Sequence, residues 1–174
     1  DERIQRGWAH RVQPDEIASS GRSSAIGPVF NITYLDVVND SKEGFDDPDL
    51  GQMRRTALEN AFLYFSNSID NSGEVDIEIR ESFFGSPTTN PFAYSASYYF
   101  GAAGFNRSFT QQHIITGNDP YPDFPDGYIQ FNFADAMNYH FSSNSYPADD
   151  QFDFHTIAVH EIMHLLGFTS YLSN

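Results

Sequence analysis

The sequence predicts an α+β fold: a twisted mixed sheet of about four to five strands, packed with one amphipathic helix and a C-terminal helix. Three observations predict it. Stretches of period-two alternation recur, the clearest setting Val75, Ile77 and Ile79 against Asp76, Glu78 and Arg80. Ahead of that stretch Met53, Ala57, Ala61 and Phe65 recur every four residues, flanked by Leu58, Phe62 and Ile69, the spacing of an amphipathic helix. Near the C-terminus Ile157, Ala158, Ile162, Leu165 and Leu166 are spaced to bury a second helix, and Gly167 stands where a helix stops in the left-handed conformation.

Taken in order, residues 1–27 are polar and aperiodic, and read as an N-terminal arm or propeptide remnant that Trp8 anchors; His10 and Asp15 have no supporting metal spacing. Residues 28–174 form the single domain. Val29 to Val37 alternates, with Phe30, Ile32 and Tyr34 on one face, and is the first strand. Asp36 to Asp49 is a loop holding Asp36, Asp40, Glu43, Asp46, Asp47 and Asp49; it is a solvated loop or a calcium site without an EF-hand pattern. Leu50 to Ile69 is the first helix, with Asp49 as its N-cap. Glu74 to Phe84 and Ala93 to Phe100 are further strands. A short strand is expected at His113–Ile115. The Pro- and Asp-rich turn from Asn118 to Gly127 is a second calcium candidate. Tyr128 to Phe133 alternates again, Asp135 to Phe141 is a short helix, and Ser142 to Asp150 is a loop leading into the last helix.

Composition narrows the function classes. The chain's 174 residues suffice for one buried core, and 17 Phe with 10 Tyr make that core aromatic. A formal charge of -15 repels nucleic acid and anionic membrane, and suits calcium, a cationic substrate or simple solubility. Four bases balance four acids in residues 1–25, so residues 26–174 carry the whole excess. There is no cysteine, which excludes disulfides, thiolate catalysis and cysteine zinc sites within this chain. No apolar run approaches a membrane span. The chain starts at Asp1 rather than Met, so a removed signal peptide, a removed propeptide or an artificial boundary is expected. Sequons at Asn31, Asn39 and Asn106 matter only in a secreted eukaryotic protein.

The chemistry is carried by His160-Glu161-Ile162-Met163-His164, an H-E-x-x-H pattern. Histidines four apart lie one turn apart on one helical face, so both imidazoles reach a single tetrahedral zinc ion. Glu161 is then near enough to take a proton from water on that ion. His155 is about 140° round the helix from His160 and faces away. His113 and His140 lie on short elements or loops and read as surface residues, with His140 the better outside candidate for a further ligand.

The order of elements resembles the upper subdomain of zincin metallopeptidases. His160-Glu161-x-x-His164-x-x-Gly167-Phe168-x-Ser170 is similar to the metzincin clan, and its Gly-Phe continuation to leishmanolysin-like and bacterial secreted members. Asp153–Val159, and Ala57 and Ala61 followed by Glu74-Val75-Asp76-Ile77, extend the likeness over roughly residues 28–170; only the motif is specific. The resemblance implies a secreted zinc endopeptidase in which His160 and His164 bind zinc and Glu161 is general base and acid. It implies a protein or peptide substrate paired with an edge strand, either Ala93–Phe100 or Tyr128–Phe133. The departures are equally specific. Metzincins place a third histidine where this chain has Ser170, leishmanolysins place it later and are cysteine-rich, and no methionine turn follows. The expectation is an upper half whose third ligand and lower wall come from beyond Asn174 or from another chain. The alternative is a non-catalytic zincin-like domain used for binding or in a surface assembly.

Overall fold

The structure is a computed structural model that describes residues 9–12, 27–86, 88–99, 106–119, 121–142 and 144–168. Five strands form one mixed sheet: β1 (Ala9–Val12), β2 (Val29–Tyr34), β3 (Glu74–Ile79), β4 (Ala93–Ser97) and β5 (Gly127–Phe131), in the order β1-β2-β3-β5-β4. The central strands β2, β3 and β5 run parallel, and each edge strand is antiparallel to its neighbour. Among the described residues four helices accompany the sheet: α1 (Leu35–Asn39), α2 (Gly51–Ser68), α3 (Phe109–Thr116) and α4 (Phe154–Leu165). A small parallel pair, β6 (Tyr139–His140) with β7 (Phe152–Asp153), leads into α4. No helix among the described residues is long and apolar enough to cross a membrane.

The alternating residues build the core. Phe30, Ile32 and Tyr34 of β2, Val75, Ile77 and Ile79 of β3, and Ile129 and Phe131 of β5 are all buried. Leu58, Ala61 and Phe62 of α2 and Phe154, Ala158 and Ile162 of α4 close over them, and α2 packs against α4. Each large side chain removed from water contributes about 1.5–3 kcal/mol. Aromatic contacts make the centre: Phe45 lies against Tyr34, Phe131 and Phe133 at ring centroid distances of 5.1, 5.6 and 5.1 Å.

Several local expectations change. Ala9–Val12 lies in the stretch read as an N-terminal arm, and there it pairs with β2, because an edge strand satisfies its backbone on a neighbour and needs no pattern of its own. His113–Ile115 lies within helix α3, started by a capping box: Ser108 Oγ accepts from Gln111 N, and the Gln111 side chain accepts from Ser108 N. Asp135–Phe141 holds only a single 3-10 turn at Asp135–Met137 before β6. The acidic loop is stapled inward. Asp36 is buried and accepts from Phe45 N at 3.0 Å, Ser82 N at 2.8 Å and Ser82 Oγ at 2.6 Å. Asp47, rather than Asp49, accepts from the backbone at the start of α2, from Asp49 N and Leu50 N at 2.8 Å each. Met53 is exposed and Arg54 is buried instead, its guanidinium donating to Glu43 O and Gly44 O and lying 4.1 Å from the centre of the Phe133 ring. Among the described residues the acids of this loop form no metal-sized cluster.

Candidate metal centre

Helix α4 is fixed at both ends. At its start the Asp153 side chain accepts from His155 N at 3.2 Å and from Thr156 Oγ1. Phe154 seats the first turn among Phe131, Tyr139 and Phe141, with centroids 5.0, 5.5 and 4.9 Å away. At its end Gly167 takes a φ of +92°, and the turn closes with Gly167 N donating to His164 O at 2.9 Å and Phe168 N to Met163 O at 3.0 Å. That pair of bonds is the Schellman arrangement. The buried face carries Phe154, Ala158, Ile162 and Leu165, which leaves His160 exposed and His164 half-buried beside it.

Helical spacing brings the two imidazoles together as the sequence requires. Their Nε2 atoms are 2.9 Å apart, with the rings nearly perpendicular at 87°. Two ligands of one tetrahedral zinc, each about 2.0–2.1 Å from the ion, stand roughly 3.3 Å apart, so a small opening of the pair fits zinc. His164 Nδ1 lies 2.9 Å from Phe168 O. A carbonyl only accepts, so Nδ1 carries the proton and Nε2 keeps the lone pair a metal needs. The Gly167 turn therefore orients the His164 ring as well as ending a helix.

Glu161 is buried at 6% exposure and turned toward the sheet edge. Its Oε2 accepts from Ser95 Oγ at 2.8 Å, and the same hydroxyl is 2.8 Å from the Glu161 carbonyl. Ser95 belongs to β4, so the motif's acid is tied to the edge strand. Tyr139 stands nearby: burial, then the charge of Glu161, pushes its phenol well above the usual range, and its hydroxyl donates to Phe92 O at 3.1 Å. Sequence reasoning gives no sign of Ser95, Tyr139 or the Phe168 carbonyl, since each is a tertiary or backbone partner with no motif of its own.

The other histidines separate. His140, at the end of β6, has its Nε2 3.0 Å from Ser145 O in the loop that follows. His155 sits half-buried in the first turn of α4. Among the described residues no third His, Asp or Glu joins His160 and His164 within ligating reach. Ser170 and Trp8, and the side chain of His10, lie outside the described residues. His113, expected at the surface, is buried at 3% exposure and meets Asp119 and Asp126 of the Asn118–Gly127 turn. Of the two strands that the resemblance offers for substrate pairing, β4 is at the sheet edge and β5 is enclosed between β3 and β4. Compared with protein-family models, with curated proteins and with solved structures, the chain gives no significant match.

Proposed function

We propose that this protein is a secreted zinc-dependent endopeptidase. The observation that carries the reading is the convergence of His160 and His164 Nε2 atoms 2.9 Å apart on a helix whose next residue, Glu161, is hydrogen-bonded to the edge strand. The donor set, two imidazole nitrogens with one Nδ1 tied to a carbonyl, fits zinc. Bound there, zinc would supply a Lewis acid for the scissile carbonyl and acidify an attacking water. Glu161 takes the water's proton during attack and returns it to the leaving amine. Ser95 holds that carboxylate in one orientation. β4 has no strand partner on its outer side among the described residues, so an extended peptide can add to it by backbone hydrogen bonds alongside α4.

A catalytic zinc takes three protein ligands and a water. The described residues supply two, and we assign the third to residues outside them. The same observation favours the second reading, a zincin-like domain that binds without cleaving. Incubating the protein with an unstructured polypeptide, with and without a chelator, distinguishes the two. The proteolytic reading expects fragments that vanish with chelator and return with zinc. Zinc binding without any cleavage supports the binding domain.

A further inference from the structure

We propose that His113, Asp119 and Asp126 form a second divalent-metal site, of zinc-like rather than calcium-like chemistry, that locks α3 to the sheet. This inference is independent of the role assigned to His160 and His164.

The three residues come from separate elements. His113 lies in the last turn of α3, Asp119 in the loop that follows, and Asp126 just before β5. Asp126 is held rigidly against β3: its N donates to Asp76 O at 2.7 Å, and its Oδ2 accepts from Asp76 N at 2.9 Å. The same Oδ2 is 2.7 Å from His113 Nδ1. A carboxylate only accepts here, so Nδ1 donates, and in the neutral ring Nε2 is left with its lone pair.

That Nε2 is buried and has no hydrogen-bond partner. It faces Asp119 Oδ1 at 3.2 Å. In the neutral ring two lone pairs at that distance repel, and the buried nitrogen is left unsatisfied. A positive charge between them, a metal ion or a proton on Nε2, removes that repulsion, and the test below separates the two. The separation is close to the roughly 3.3 Å edge of a tetrahedral zinc shell. One ligand atom from each of the three residues lies within 4.8 Å of the other two. Asp119 Oδ1 is already oriented by Tyr121 N at 2.6 Å. His113 Nε2 and Asp119 are the ligands. Asp126 is the carboxylate that fixes the ring behind the ligand nitrogen, a usual partner of metal-bound histidine. An imidazole ligand selects zinc and related transition ions over calcium, which takes oxygen ligands. Asp119 is 24% exposed, so water completes the shell from that side.

The other end of α3 reaches the helix that carries the first pair of histidines. Thr110 Oγ1 donates to Leu165 O at 2.7 Å, and Gln111 Nε2 to Leu166 O at 3.1 Å. An ion at His113 therefore stiffens α3 and, through it, the last turn of α4.

The test uses the full chain with His160→Ala and His164→Ala, so that the first site is absent, titrated with zinc alone. The expected result is one equivalent bound, a rise in Tm, and a shift of the His113 Nε2 resonance in 15N NMR. Asp119→Asn keeps an oxygen for Tyr121 N and should weaken binding by about 10- to 100-fold. The proposal is overturned if zinc leaves the His113 resonance unmoved, or if Asp119→Asn binds as tightly as its parent. A His113 ring that keeps protons on both nitrogens at pH 8 with zinc present also overturns it, since a proton then occupies the gap. The resonance is read on the parent, so the result stands even if Asp119→Asn does not fold.

Discussion

Gly167→Ala tests the link between helix termination and metal binding. The backbone there has a φ of +92°, where a β-carbon costs roughly 1–2 kcal/mol. The new methyl would stand 2.2 Å from Gln111 Nε2. Gln111 can swing aside, but it then gives up its 3.1 Å bond to Leu166 O, worth about 0.5–1.5 kcal/mol. The sum is about 1.5–3.5 kcal/mol, or a fall of roughly 3–14 °C in Tm for a chain of this size. Distortion of the turn also moves Phe168 O away from His164 Nδ1, now 2.9 Å distant. Loss of such a partner weakens metal binding by about 10- to 100-fold. Urea unfolding of the metal-free protein reads the first effect, and zinc titration against a competing chelator reads the second. In a cycle with Gln111→Ala, the double variant should lose less than the sum of the single losses, because both remove the same bond. A change below about 0.5 kcal/mol with unaltered zinc affinity would refute the reasoning.

Three further outcomes are expected. Ser95→Ala frees the Glu161 carboxylate, so kcat should fall by about tenfold or more with KM and zinc content little changed, and Ser95→Thr should restore it; equal losses in kcat and KM would place Ser95 in substrate binding instead. Phe154→Ala empties the aromatic seat of α4 and should cost about 3–5 kcal/mol in denaturant unfolding; a loss under 1 kcal/mol would contradict the packing described. His160→Ala should abolish zinc binding at α4 and remove the stabilisation by zinc seen in melting curves; metal analysis showing zinc retained on His164 would remove His160 from the site.

The sheet was largely legible because its strands bury one face. Val75, Ile77 and Ile79 must alternate with polar residues if a single side meets the core. The paired histidines were legible for the same kind of reason, since helical geometry alone brings residues four apart together. What escaped the sequence depends on long-range partners. Ser95 and Glu161 are 66 residues apart, and nothing local to either announces the other. Ala9–Val12 is a strand because β2 offers it an edge. Arg54 takes the inward place expected of Met53 because two loop carbonyls and an aromatic face await its guanidinium. The helix that holds His113 is legible from its capping box, Ser108 with Gln111, whereas the meeting of His113 with Asp119 and Asp126 is tertiary.

The central claim, that Glu161 moves a proton while His160 and His164 hold zinc, is tested most directly by measuring peptide hydrolysis and bound zinc together in Glu161→Gln. Glutamine keeps the size of the side chain and an oxygen to accept from Ser95, but it cannot take a proton. Zinc content is expected to equal wild type, with a turnover lower by about 100-fold or more. Wild-type turnover, or loss of zinc from the variant, would contradict it.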